Sequence, residues 1–162
     1  MLRKQILLPF VCVLMCSFST IYAIQKMKAS RSKVCALRLR PGDDLKKSIT
    51  DFAKANQLQA AYVVTCVGSL KQANVRFANQ PTGTELTDKF EIVSLTGAFN
   101  ADGGHFHIAL SDGTGKTIGG HLMDGNLVYT TAEIVIGEAT DLVFKRETDS
   151  VTTYKELTIY QR

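Results

Sequence analysis

The sequence predicts an α+β domain, a mostly antiparallel β-sheet with one main helix. Three observations lead there. One stretch alone, Asp43 to Asn56, repeats its apolar residues at helical spacing. Seven or eight other segments alternate apolar with polar residues, or run short and apolar, between glycine-rich breaks. Two compact turn signals, Asp112-Gly113-Thr114-Gly115-Lys116 and Asp124-Gly125, ask for hairpins. A chain of 162 residues is one domain by length and can bury a sizeable core.

Residues 1–23 read as an export signal. Arg3 and Lys4 precede an uncharged run from Gln5 to Gln25 that includes Leu7, Leu8, Phe10, Val11, Val13, Leu14 and Met15, and cleavage after Ala23 completes the pattern. The alternative is an uncleaved membrane anchor formed by residues 5–25, since about 20 apolar residues span a bilayer. Pro9, Ser17, Ser19 and Thr20 argue against it. The protein is therefore expected to be secreted or otherwise extracytoplasmic. Residues 24–33, short, basic and serine-containing, read as a flexible linker, and the domain takes 34–162. Cys12 and Cys16 fall in the signal. Cys35 and Cys66 fall in strands and read as small free hydrophobes, and no cysteine spacing suits a zinc or redox pair.

Val34 to Arg40 is the first strand, with Leu37 and Leu39 alternating against Arg38 and Arg40, and Pro41-Gly42 ends it. The helix follows. Asp43 and Asp44 suit its first turn, where carboxylates complement the helix dipole; Leu45, Ile49, Phe52 and Ala53 form its core face; Asn56 stops it. Strands are expected at Ala60 to Leu70, Ala73 to Asn79 and Phe90 to Phe99, with an exposed loop from Asn79 to Lys89 around Pro81 and Gly83. Asn126 to Gly137, Leu142 to Glu147 and Tyr154 to Tyr160 complete the sheet.

All three histidines lie in one expected hairpin, Gly103 to Leu122. His105 and His107, two residues apart on a strand, point the same way about 7 Å apart. A three-residue loop closing Asp112 against Lys116, with Gly115 in the left-handed region, sets Leu110 opposite Ile118, Ile108 opposite Gly120, His107 opposite His121 and Phe106 opposite Leu122. Apolar residues then meet apolar residues, whereas a two-residue loop would slip the register and oppose Phe106 to His121. Directly opposed Cβ atoms lie about 5 Å apart, so His105, His107 and His121 converge on one small cation. Three neutral imidazoles suit zinc, with a tetrahedral position left open.

A two-residue turn at Asp124-Gly125 would place His121 opposite Val128, with Thr130, Ala132, Ile134 and Ile136 beyond it on the histidine face. That face would be largely apolar and need a cover, which a second subunit supplies. The same register sends Glu133 to the other face, in an ion pair with Lys116.

Several motifs together carry a resemblance. Leu39-Arg40-Pro41-Gly42-Asp43-Asp44-Leu45, Cys66-Val67-Gly68-Ser69-Leu70, Phe90-Glu91-Ile92-Val93-Ser94-Leu95-Thr96-Gly97, the histidine hairpin and Tyr129-Thr130-Thr131-Ala132-Glu133 resemble the plant and prokaryote conserved (PPC) domain, from about Val34 to the C-terminus. The resemblance implies one helix packed on an antiparallel sheet, assembled as a homotrimer. It also implies a metal site at His105, His107 and His121, as in prokaryotic members. Many prokaryotic members are labelled DNA-binding by analogy, and plant members join the domain to minor-groove-binding AT-hooks; this sequence has no Arg-Gly-Arg-Pro hook.

Charge narrows the function classes. Lysine and arginine number 19 against 15 aspartate and glutamate, and the excess halves once Arg3 and Lys4 are set aside. No basic block or basic helix face exists to track phosphates, so nucleic acid is a poor fit. Gly103-Gly104, Gly119-Gly120 and Gly113-Thr114-Gly115 precede no helix and cradle no nucleotide. Ser69 and Ser94 have no adjacent base, and no catalytic residue is assigned. The expected function is that of a trimeric binding or assembly module with a three-histidine zinc site. The alternatives are a metal-dependent enzyme, a hydrolase using the open zinc position, and a DNA-associated protein.

Overall fold

The computed structural model describes residues 27–162. The expected export signal or anchor, with Cys12 and Cys16, lies outside the described residues. The described chain forms one helix, α1 (Leu45–Ala55), and eight strands: β1 (Ser32–Leu39), β2 (Ala61–Arg76), β3 (Thr84–Asn100), β4 (Gly103–Ser111), β5 (Thr117–Leu122), β6 (Leu127–Ala139), β7 (Leu142–Thr148) and β8 (Lys155–Gln161). Six strands form one antiparallel sheet in the order β1-β6-β2-β3-β4-β5, and β7 and β8 form a separate hairpin. This is the α+β architecture the sequence predicts. No helix among the described residues is long and apolar enough to cross a membrane.

α1 begins one step later than its composition suggests. Asp44 is the N-cap rather than a first-turn residue: one carboxylate oxygen accepts the Lys47 N–H at 2.9 Å, and the other accepts the Gly125 N–H at 2.6 Å. Asp43 precedes it and accepts from the Arg40 N–H at 2.8 Å. Leu45, Ile49 and Ala53 are fully buried, with Phe52 packed at their margin, and Asn56 caps the C-terminus by bonding the Phe52 carbonyl.

β2 runs unbroken where the sequence suggests two strands, because a register shift between Leu70 and Gln72 absorbs the irregular Lys71. β3 starts at Thr84, inside the expected loop, and pairs Thr84 to Thr87 with Val75 to Gln72. Apart from half-buried Leu86, the 84–89 segment stays exposed, so its polarity disguised a strand as a loop.

Asp124-Gly125 does not make a hairpin. A two-residue hairpin turn of the favoured type needs positive φ at both central residues, and only Gly125, at φ 97°, has it. The fully buried Asn126 redirects the chain instead: its Oδ1 accepts the Asn74 N–H at 2.9 Å and its Nδ2 donates to the Met123 carbonyl at 2.6 Å. β6 therefore leaves β5 and lies between β1 and β2, with Ile136 opposite Cys35 and Val63, and Ile134 opposite Leu37 and Cys66. Val128, Ala132, Ile134 and Ile136 are buried in the core beneath the sheet, not spread on the histidine face. The apolar cover expected over the histidines is thus not required on their account.

β5 pairs instead with two strands. It runs beside β4 and, at its end, meets β2, with Val75 opposite Leu122 and Arg76 opposite His121. The pairings β2–β3–β4–β5–β2 close a ring. Gly120 permits the closure, because a Cβ there would fall 2.6 Å from the Arg76 carbonyl oxygen. Inside lie Phe106, Ile108, Leu110, Leu122, Val75 and Leu70. Cys66 is buried and Cys35 half-buried, and neither forms a disulfide among the described residues; burial pushes the Cys66 thiol up to about 12.

Candidate metal centre

The histidine hairpin has the register expected from its turn. Leu110 faces Ile118, Ile108 faces Gly120 and His107 faces His121. The turn closes as Asp112 N–H donates to the Lys116 carbonyl at 3.0 Å, and the Asp112 carboxylate accepts the N–H groups of Thr114 and Lys116 at 2.9 and 3.1 Å. Gly115 adopts φ 84°, which a residue with a side chain rarely tolerates.

This register gathers all three sequence-predicted ligands. One ring nitrogen from each of His105, His107 and His121 lies within 4.8 Å of the other two. The Nε2 atoms of His105 and His107 are 3.1 Å apart, and the ring centroids are separated by 4.6–5.6 Å. His105 and His107 are exposed and His121 half-buried, so the cluster opens on the outer surface of the ring while Phe106 and Ile108 point inward.

Burial, followed by the electrostatic coupling to His105 and Arg76, pushes the His121 imidazole down to about 4. Burial and then His107 and Arg146 lower His105 as well, with Glu156 pulling the other way. Both shifts favour the neutral ring, the form in which imidazole binds metal. The donor set fits zinc. Zinc–imidazole bonds of about 2.0–2.1 Å place ligand nitrogens roughly 3.3 Å apart around a tetrahedral ion. The 3.1 Å edge between His105 and His107 is close to that length.

Glu133 is nowhere near Lys116. Because β6 does not pair with β5, Glu133 sits between Arg38 and Val67, exposed on the far part of the sheet, and the ion pair expected from the sequence does not form. Two residues that the sequence does not single out border the histidines. Arg76 is the register partner of His121, and Arg146 of β7 donates to the Ala98 carbonyl at 3.3 Å, Ala98 being the partner of His105. Neither belongs to a local motif; both arrive through pairing distant in sequence.

The model of the Plants and Prokaryotes Conserved (PCC) domain matches residues 27–140. The chain belongs to this family. Among curated relatives, the Bifunctional protein GlmU of Synechococcus sp. (strain JA-3-3Ab) is 44% identical over 135 residues, 83% of this chain. The chain spans only about a fifth, 22%, of that relative's length. Among solved structures, a hypothetical protein from Salmonella cholerae-suis is 42% identical with a TM-score of 0.82, covering 83% of this PCC chain and 98% of that one. A metal-containing protein from Archaeoglobus fulgidus is 26% identical with a TM-score of 0.68, covering 82% and 99%. A protein from Bacteroides thetaiotaomicron proposed to bind DNA has a TM-score of 0.66 over 83% and 99%, but at 15% identity the likeness shows the fold alone.

Proposed function

We propose that this PCC domain is a homotrimeric binding and assembly module that holds one zinc ion per chain on His105, His107 and His121. The observation that carries the metal reading is the convergence of all three histidines of the sequence within 4.8 Å under a register set by an independent turn. The Archaeoglobus relative, described as metal-containing, supports it. The trimer rests on the family resemblance and on apolar surface the chain leaves uncovered. Val64, Val67 and Val93 are each more than half exposed on the sheet, and Ala36, Leu37, Val67 and Val135 line a groove across β1, β6 and β2. Export follows from the N-terminal pattern of residues 1–23.

Zinc bound to three imidazoles keeps a position open to a water, a ligand or a partner side chain. Only three ligand groups converge among the described residues, which favours as a second reading a metal-dependent enzyme, a hydrolase whose zinc would supply an activated water. Within either reading His105, His107 and His121 hold the ion, and β4 and β5 fix their spacing.

Equilibrium dialysis of the protein against zinc tests the metal, and sedimentation equilibrium the assembly. One zinc per chain in the parent, lost in His107→Ala, and a mass of three chains support the reading. A parent that takes up no zinc at neutral pH refutes the metal site; a monomer refutes the trimer.

A further inference from the structure

We propose that the histidine cluster is the inner end of an oxyanion site, in which Arg76 and Arg146 hold the carboxylate or phosphate group of a small ligand whose oxygen fills the metal's open position. This rests on the three-histidine metal reading.

The two guanidinium groups come from opposite sides. Arg76 stands directly opposite His121 across the β2–β5 pair, where opposed side chains share a face with Cβ atoms about 5 Å apart. Arg146 reaches over from the separate β7–β8 hairpin to the Ala98 carbonyl, beside His105. Each is half-buried, and neither is ion-paired among the described residues, whereas Arg31, Lys46 and Lys47 all have carboxylate partners. A guanidinium carries five N–H donors in a fork suited to carboxylate or phosphate. Arg76 uses one on the Gln80 carbonyl and Arg146 one on the Ala98 carbonyl, both at 3.3 Å, so most of the donors remain free.

The charge balance points the same way. Imidazole ligands bring no negative charge to offset a divalent ion, and the two guanidinium groups add to the excess. Lys46, whose charge also reaches His121, is answered by Asp124 at 3.1 Å. Glu156 is the one carboxylate whose charge reaches His105, a single negative charge against a divalent ion and two guanidinium groups, and it accepts the Thr152 hydroxyl at 3.1 Å within its own hairpin. An incoming oxyanion satisfies both the free donors and the uncompensated charge, and bidentate guanidinium contacts set its orientation.

Cobalt(II) substituted into the full protein reports its coordination through visible absorption. Sodium acetate in one arm and sodium phosphate in another should change that spectrum saturably, and the tighter of the two identifies the ligand's head group. Arg76→Gln and Arg146→Gln should each bind cobalt with the parent's anion-free spectrum, yet bind the anion at least about tenfold more weakly. The variants lie on different elements, so either carries the test if the other misfolds. Failure to bind cobalt refutes the metal reading and the inference with it. Cobalt bound normally, but with neither anion changing the spectrum or with both variants binding it like the parent, overturns the oxyanion site and leaves the metal site standing.

Discussion

His107 and His121 stand directly opposite one another on β4 and β5, with ring centroids 5.6 Å apart. Their pairing depends on two glycines that supply no ligand: Gly115, which turns the chain, and Gly120, which lets β5 close on β2.

Gly120→Ala should therefore injure the site without removing a ligand. The added methyl group would lie 2.6 Å from the Arg76 carbonyl oxygen, so β5 must part from β2 and carry His121 with it. Overpacking of this kind costs roughly 1–3 kcal/mol. Competition with a chromophoric chelator should show zinc affinity at least about tenfold weaker, while Gly113→Ala, which meets nothing within 4 Å, leaves affinity unchanged.

Gly115→Val tests the turn. A β-branched residue at φ 84° is strained by about 1–3 kcal/mol, and the urea midpoint should fall accordingly. A register slip would move His121 to the other face, so this variant should lose zinc as well as stability. Retention of both would show that the loop does not set the register.

Asn126→Ala should be among the most damaging substitutions that remove no histidine. It removes the acceptor of the Asn74 N–H and the donor to the Met123 carbonyl in a fully buried position. Unsatisfied buried groups of this kind cost about 1–3 kcal/mol each, and thermal unfolding should show a correspondingly lower midpoint.

Asp141 ties the start of β1 to the β6–β7 connection. Its bonds from the Arg31 side chain and backbone hold its carboxyl down at about 2, below the ordinary 3.8. A carboxylate depressed in the fold contributes stability that is present above pH 4 and lost as pH falls towards 2. The pair is solvent-exposed, so the contribution is small. Urea midpoints of the parent and Asp141→Asn should differ at pH 7 and converge by pH 2; a difference independent of pH would show that the carboxylate charge is not what matters.

Much of this was legible in the sequence, because the relevant contacts were local. The turn at Asp112 to Lys116 set the hairpin register, and the register placed His105, His107 and His121 together. The helix face at Leu45, Ile49 and Ala53 followed from spacing alone. What escaped was long-range. Asp124-Gly125 looks like a hairpin turn until Asn126 finds its partners on β2, fifty-two residues earlier in the chain, and that one buried side chain decides which strands β6 joins. Glu133, Arg76 and Arg146 were misplaced or overlooked for the same reason, since their neighbours depend on sheet order rather than on adjacent sequence.

The most direct test of the central claim is an anomalous difference map from crystals of the protein grown with zinc, collected at the zinc absorption edge. The account predicts one strong peak per chain, bonded to ring nitrogens of His105, His107 and His121 at about 2.0–2.1 Å. No peak among those rings, or zinc bound only elsewhere on the chain, would contradict it.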